Sequence, residues 1–318
     1  MGSKTVAKHT ELSFQYMQVN QRPETLLGFL LRKFRYHNRE EWLDHIYDGR
    51  LSVNKKEGDP NQLLKNGQII TYLRPDYLEP PVDPFFEVIY EDDDLIAVNK
   101  SGNLPTSPSG KYFKNTLVHV IKDAFGWEDL FTLHRLDRET SGVLLFAKKK
   151  ESAQKMAAQF REHQVEKQYL AILSRALPFK KIFVSAPIGR DPLSLVRIKQ
   201  GVIPTGKPSQ TCFEELNKFG NYSKVEVKPL TGRTHQIRVH AAYLGCAIVG
   251  DKLYGLENDG FVEWLEKGDH YLREQDFPTH RQLLHASQLC FTHPSTQKKM
   301  RIEASDKILM KHLDSHFS

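Results

Sequence analysis

Asp137 stands between two arginines in the segment HRLDRETSG, His134–Gly142, directly ahead of the apolar run VLLFA. Such a run predicts a buried central strand, with the preceding segment as the loop at its head. A loop anchored to a rigid sheet can hold a reactive group in place. Two chemistries fit an acid there. Between Arg135 and Arg138 it can be an ordinary salt-bridged loop residue. It can equally be a carboxylate kept ionised in a partly desolvated cleft by a guanidinium, ready to act as nucleophile or base.

A second constellation lies in LTGRTHQIRVHAAYLGCAIVGDKLYG, Leu230–Gly255, where GRTHQIRVH crowds Arg233, His235, Arg238 and His240 together. As a strand it puts Arg233, His235 and Ile237 on one face and Thr234, Gln236 and Arg238 on the other; as a helix it brings His235 near Arg238. The spacing of His235 and His240 matches no helix face, and no acid adjoins them, so both are read as histidines stabilising loops and no metal is expected. His285 and His293, in LLHASQLCFTHP, are read as hydrogen-bonded near a sheet. No serine sits in a G-x-S-x-G elbow, the cysteines lack a catalytic signature, and neither a Walker loop nor a G-x-G-x-x-G follows a strand. Nothing calls for a nucleotide cofactor.

The elements that must position these residues fall into two groups. RPDYLEPPVDP, Arg74–Pro84, packs four prolines into eleven residues and suits a linker, placed at 76–84. Ahead of it, residues 1–20 read as an extension and 21–75 as a small unit. In that unit TLLGFLLRKF and REEWLDHIYDG carry helical spacing, and RLSVN and the run after Asn66-Gly67 read as strands. Residues 85–318 form the larger unit. FFEVIYEDDDLIAVNK predicts a hairpin, and KQYLAIL, TCFEEL, YSKVEVKPL and RQLLHASQLCFTHP predict further strands. ESAQKMAAQFREH sets Ala153, Met156, Ala157 and Phe160 on one stripe of an amphipathic helix, read as core packing. The mixture predicts an α+β fold with a large, mostly antiparallel mixed sheet flanked by helices.

Forty-five Lys and Arg against 39 Asp and Glu give a formal charge of +6, and the pI of about 9.0 suits an anionic partner, nucleic acid first. Residues 21–75 contribute ten basic against seven acidic side chains, a small surplus. Cys212, Cys246 and Cys290 are odd in number and have no CxxC spacing, which argues against a disulfide framework or a zinc ribbon. No apolar stretch reaches the length of a membrane span, and the first twenty residues lack a signal-peptide core, so a cytoplasmic protein with no membrane partner is expected. The NYS at Asn221 is then a chance sequon. Nothing demands more than a monomer.

HRLDRETSG, EKQYLAIL, GRTHQIRVHAAYLG with GDKLYG, and LLHASQLCFTHP, in that order, resemble the RluA family of RNA pseudouridine synthases over about residues 85–305. The order helix, helix, DGRLSVN, LLKNGQIITY in 21–75 resembles the small S-four-like RNA-binding domain shared with a ribosomal small-subunit protein. The resemblance implies isomerisation of uridine to pseudouridine in RNA without metal or organic cofactor, with large-subunit ribosomal RNA as the first substrate and transfer RNA as the second. It implies Asp137 as the catalytic residue, acting by attack on the sugar, attack on the base, or proton removal from the sugar. It also implies Tyr169 of KQY stacked on the base and available as a proton acceptor, which needs a lowered pKa or a concerted relay. Arg238 is expected to pair with Asp137, Arg135 to enter the RNA stack when the target nucleotide leaves it, and Arg233 to bind RNA. A protein that keeps the fold but only binds RNA is the competing class.

Overall fold

The computed structural model describes residues 9–18, 23–34, 37–75, 79–256, 260–275 and 277–309. Its contacts divide the chain into two units, Met1–Pro80 and Pro81–Ser318.

The first unit contains β1 (His9–Gln15), α1 (Leu26–Lys33), α2 (Arg39–Tyr47), β2 (Leu51–Val53), β3 (Lys56–Glu57) and β4 (Ile69–Pro75). Its strands form an antiparallel sheet in the order β1-β4-β2-β3. Thr25 starts α1 by accepting the Gly28 amide at 3.1 Å. Asn38 starts α2 in a reciprocal capping box with Glu41. Leu26, Phe29, Leu30, Trp42 and Ile46 from the helices meet Leu51, Ile70 and Tyr72 from the sheet in the core. One expectation changes. Residues 9–15, assigned to an extension, pair with β4 from His9–Pro75 to Gln15–Ile69. The signal was a period of two, since Leu12 and Tyr16 are buried between exposed neighbours.

The second unit runs β5 (Phe86–Glu91), β6 (Leu95–Lys100), α3 (Leu117–Phe125), β7 (Phe131–Thr132), β8 (Ser141–Ala147), α4 (Lys150–Arg161), β9 (Glu166–Leu173), β10 (Lys181–Ser185), β11 (Ile188–Arg190) and β12 (Gln200–Val202). It continues with β13 (Gln210–Phe219), β14 (Tyr222–Pro229), α5 (Gln236–Tyr243), α6 (Gly260–Lys267), α7 (Asp269–Glu274), β15 (Leu284–Thr292) and β16 (Lys299–Glu303). Among the described residues ten strands form one sheet, ordered β10-β13-β14-β9-β15-β8-β6-β5, with β16 beside β15 and β7 beside β8. Only the β8–β15 pairing is parallel. The hairpin β11–β12 stands apart from this sheet.

VLLFA is apolar throughout because both faces of β8 are covered. Val143, Leu145 and Ala147 pack with Met156 of α4. Leu144 and Phe146 pack with Leu117 and Ile121 of α3. The buried stripe of α4 is rotated from the expected one: Ser152 and Met156 are buried and Ala153 and Phe160 half-buried, but Ala157 is exposed. No described helix is long and apolar enough to cross a membrane.

Candidate active site

The loop from His134 to Thr140 is tied at nearly every residue, which keeps Asp137 in one place. His134 Nε2 accepts the Leu145 amide at 3.0 Å. The Thr106 hydroxyl donates to the Leu136 carbonyl and accepts the Leu136 amide, at 2.9 and 3.1 Å. The Thr140 amide closes the turn on the Asp137 carbonyl at 3.1 Å. From beneath, fully buried Lys100 donates to the carbonyls of Ser101, Leu104 and Arg138 at 2.7, 2.8 and 3.1 Å. Arg281 donates to the Glu139 carbonyl at 3.0 Å, and Lys252 to the Glu139 carboxylate at 2.8 Å. The loop then enters β8 through Gly142, whose φ of +111° and crowding against the Ala286 backbone admit no side chain.

GRTHQIRVH resolves as a helix start. His235 precedes α5 at φ +57°, and Arg238 lies in its first turn. Arg238 Nη1 donates to Asp137 Oδ2 at 2.7 Å, while Nε and Nη2 form a two-point contact with Asp251 at 2.7 and 2.9 Å. The Asp251 side chain is fully buried and that of Asp137 is 26% exposed, so one carboxylate serves as a fixed counter-ion and the other opens to solvent. Burial alone would raise the Asp137 carboxyl. The Arg238 guanidinium, then His235, and hydrogen bonds from Arg238 and Gln282 outweigh it and hold the group below the ordinary carboxylate value. Arg238 is itself disfavoured by burial, but the Asp251 carboxylate and then Asp137 push its pKa up.

These groups face a cleft of about 510 Å³ lined by Arg135, Asp137, Tyr169, Arg233 and Arg238, with His235 and Lys167 among the further lining residues. All five residues singled out in the sequence therefore meet at one place. Tyr169 reaches it from β9, opposite Val227 of β14 and Ala286 of β15. Burial and then the Asp137 charge push its phenol up, so the lowered pKa that was one of the two expected routes to a base does not occur. Arg135 is exposed at the rim. Arg233 is half-buried, with Nε donating to the Pro208 carbonyl at 3.2 Å. Gln236 holds that loop by accepting the Arg233 amide and donating to the Gln210 carbonyl, at 3.0 and 2.8 Å.

Two side chains absent from the sequence reading belong to the site. Asp251 and Tyr254 both lie in GDKLYG, the last six residues of the second constellation. Gly250, at φ +78° and pressed against the Arg281 carbonyl, makes the turn that aims Asp251 at Arg238. His235 is not merely a loop support, since it faces Asp137 at 3.9 Å. His285 and His293 are hydrogen-bonded as expected, to Ser141 and to Asp92, whereas His240, read as a loop residue, lies within α5 and is hydrogen-bonded to Thr211 and the Ala186 carbonyl.

Asp92, Asp94 and His293 bring potential metal-binding atoms within 4.8 Å of one another, outside the cleft. Asp92 is already saturated, by the Tyr90 hydroxyl and His293 Nε2 on one oxygen and the Asp94 and Leu95 amides on the other. The cluster closes the β5–β6 turn. In the cleft the arrangement offers a fixed carboxylate, held ionised and open to solvent, beside a protonated phenol and a rim of arginines. Such a site suits attack on, or proton removal from, a captured neutral ring bound through an anionic backbone.

The family model for RNA pseudouridylate synthase matches residues 94–243. An uncharacterized RNA pseudouridine synthase of Synechocystis is 34% identical over 72% of this chain and 79% of its own. The ribosomal large subunit pseudouridine synthase C of Vibrio cholerae is 34% identical over 80% of this chain and 81% of its own. The mitochondrial tRNA pseudouridine(32) synthase of Saccharomyces cerevisiae is 31% identical over 73% of this chain and 51% of its own. Among solved structures, human RNA pseudouridylate synthase domain containing 1 matches with a TM-score of 0.58 at 29% identity, over 72% of this chain and 86% of that one. The chain belongs to the RNA pseudouridine synthases.

Proposed function

We propose that this isomerase is of the RluA type and converts uridine to pseudouridine in large-subunit ribosomal RNA, with Asp137 as its catalytic carboxylate. The observation that carries the site assignment is the Asp137–Arg238 contact at 2.7 Å, backed by Asp251. It keeps a carboxylate charged where burial would otherwise neutralise it. The reaction moves the sugar from N1 to C5 of the same base, releasing the C5 proton while N1 gains one. Substrate and product share their atoms, so no redox partner or group donor is required. Asp137 supplies the negative charge for glycosidic cleavage. Tyr169 covers the base as a neutral phenol, and any proton it takes from C5 must leave in a concerted transfer. Arg135, exposed at the rim, fills the stack vacated by the target nucleotide, whose extrusion costs a few kcal/mol. Arg233 contacts the RNA backbone.

The ribosomal assignment rests on where the similarity extends. The match to the Vibrio cholerae enzyme covers 80% of this chain, more than Pro81–Ser318 contains, so it reaches into the first unit. The match to the yeast tRNA enzyme covers 73%, less than Pro81–Ser318 contains. We assign the first unit to RNA binding as an S-four-like domain. Its helix pair and small sheet fit that reading, and Lys33 lies 5.0–5.6 Å from the ring centres of Phe14, Phe29 and Phe34. Mapping pseudouridine across total RNA from cells with and without the gene tests the substrate. Loss at one or a few positions of large-subunit ribosomal RNA is expected; loss confined to tRNA would overturn the ribosomal assignment.

A further inference from the structure

Tyr254 and His235 fix a proton that the reaction as described does not use. The backbone amide of Gln200 can only donate, and it donates to the Tyr254 hydroxyl oxygen at 3.0 Å. The hydroxyl still has its own proton to donate, and the acceptor within reach is His235 Nδ1 at 2.9 Å, a direction that also leaves the ring hydrogen on the nitrogen facing the Asp137 carboxylate. Stacking of the Arg238 guanidinium on the Tyr254 ring, 5.0 Å from its centre, holds the phenol in that pose. His235 Nδ1 is thus an acceptor, and the ring carries its hydrogen on Nε2. Burial, and then the charge of Arg238, push the imidazole down to about 4, so it stays neutral in this form at physiological pH.

Nε2 has no hydrogen-bond partner among the described residues. The side chain is only 10% exposed, it lines the cleft, and Nε2 lies 3.9 Å from Asp137 Oδ2, beyond hydrogen-bond range. A donor and an acceptor so placed are bridged by a group that both accepts and donates. Carbonyl and phosphate oxygens only accept and would face the carboxylate charge, and the uracil N3–H only donates. A hydroxyl does both, at about 2.8 Å from each.

We infer that His235 is a substrate-binding residue whose Nε2–H donates to a ribose hydroxyl of the target nucleotide, which in turn donates to Asp137. The 2′-hydroxyl adjoins the anomeric carbon, so it is the one that meets this pair when Asp137 lies against the reacting sugar. This contact rests on reading the cleft as the uridine site, and it selects ribose over deoxyribose at the reacting position.

The test is a cycle between a side chain and a substrate atom, in single turnover, on the RNA found by mapping, made with uridine or 2′-deoxyuridine at the target. Wild-type protein should lose about a hundredfold on the deoxy substrate, which gives up one neutral hydrogen bond and a charge-assisted one to Asp137. His235→Leu should lose about tenfold on uridine and little on deoxyuridine, each against wild type on the same substrate, whereas His235→Gln, which keeps an N–H near the same point, should recover most of the rate. The same tenfold loss on deoxyuridine would overturn the contact, because a residue that only supports the fold slows both substrates alike. Nitrogen-15 NMR of the free protein should show His235 protonated on Nε2, and a tautomer mixture in Tyr254→Phe. Protonation on Nδ1 in the wild type would overturn the proposal without any substrate. Failure of the wild-type protein to convert any RNA would instead overturn the function beneath it.

Discussion

Asp251→Asn tests whether the buried counter-ion is what sets the site. The Asp251 side chain is fully buried, accepts two hydrogen bonds from Arg238 at 2.7 and 2.9 Å, and takes the Leu253 and Tyr254 amides at 3.1 and 3.2 Å. Asparagine keeps the shape and one acceptor but turns an NH2 group toward the guanidinium. Arg238 is left with Asp137 as its anionic partner. Removing one member of a buried ion pair costs about 3–5 kcal/mol, and the surviving Asp137 contact places this case near the lower end. For a domain of this size each kcal/mol lowers the melting midpoint by about 2–4 °C, so a fall of about 6–12 °C is expected. Arg238 also loses the two-point contact that orients it, and a misplacement of about 1 Å at a reacting group costs about a hundredfold in rate. Thermal unfolding gives the first number, and single-turnover conversion well below the midpoint gives the second. A midpoint within about 1 °C of wild type together with full activity would refute the reasoning.

Stability should fall in mild acid. Burial depresses His134, His235 and His285 to about 3, 4 and 4 from 6.5, so the unfolded chain takes up protons first as pH drops. Their contribution is complete above pH 6.5 and is lost toward pH 4, at up to about 1.4 kcal/mol per pH unit for each histidine. A urea midpoint that stays flat from pH 7.5 to 5 would contradict this. Gly142→Ala forces a Cβ into the Ala286 backbone at a left-handed torsion, and should cost at least about 2 kcal/mol in urea unfolding. Lys100→Met fills the same space but leaves the Ser101, Leu104 and Arg138 carbonyls without their donor. At about 1 kcal/mol or more for each unpaired group, it should lose at least about 3 kcal/mol and slow turnover, measured by unfolding and single-turnover assays.

The parts of the site carried by compact motifs were legible in the chain. HRLDRETSG announced both the acid and the strand behind it, because a strand covered on both faces must be apolar at every position. The Asp137–Arg238 pair followed from the resemblance. Asp251 was hidden because it is the counter-ion of a counter-ion, in a turn whose glycines say only that the chain bends. The direction of the Tyr169 pKa was hidden too, since it depends on how deeply β9 lies between β14 and β15, and spacing carries no burial. GRTHQIRVH left strand and helix open until the left-handed torsion at His235 set the start of α5. β1 escaped notice because its partner β4 lies about sixty residues away and a single alternating stretch does not name its neighbour.

The central claim is that the Asp137 carboxylate, held charged by Arg238, drives the isomerisation. The direct measurement is release of tritium from RNA labelled at uridine C5, since forming the new carbon–carbon bond expels that hydrogen, with RNA affinity measured beside it. Asp137→Asn should bind RNA as the wild type does and release no tritium above the uncatalysed background. Release at the wild-type rate from the Asn protein would contradict the account.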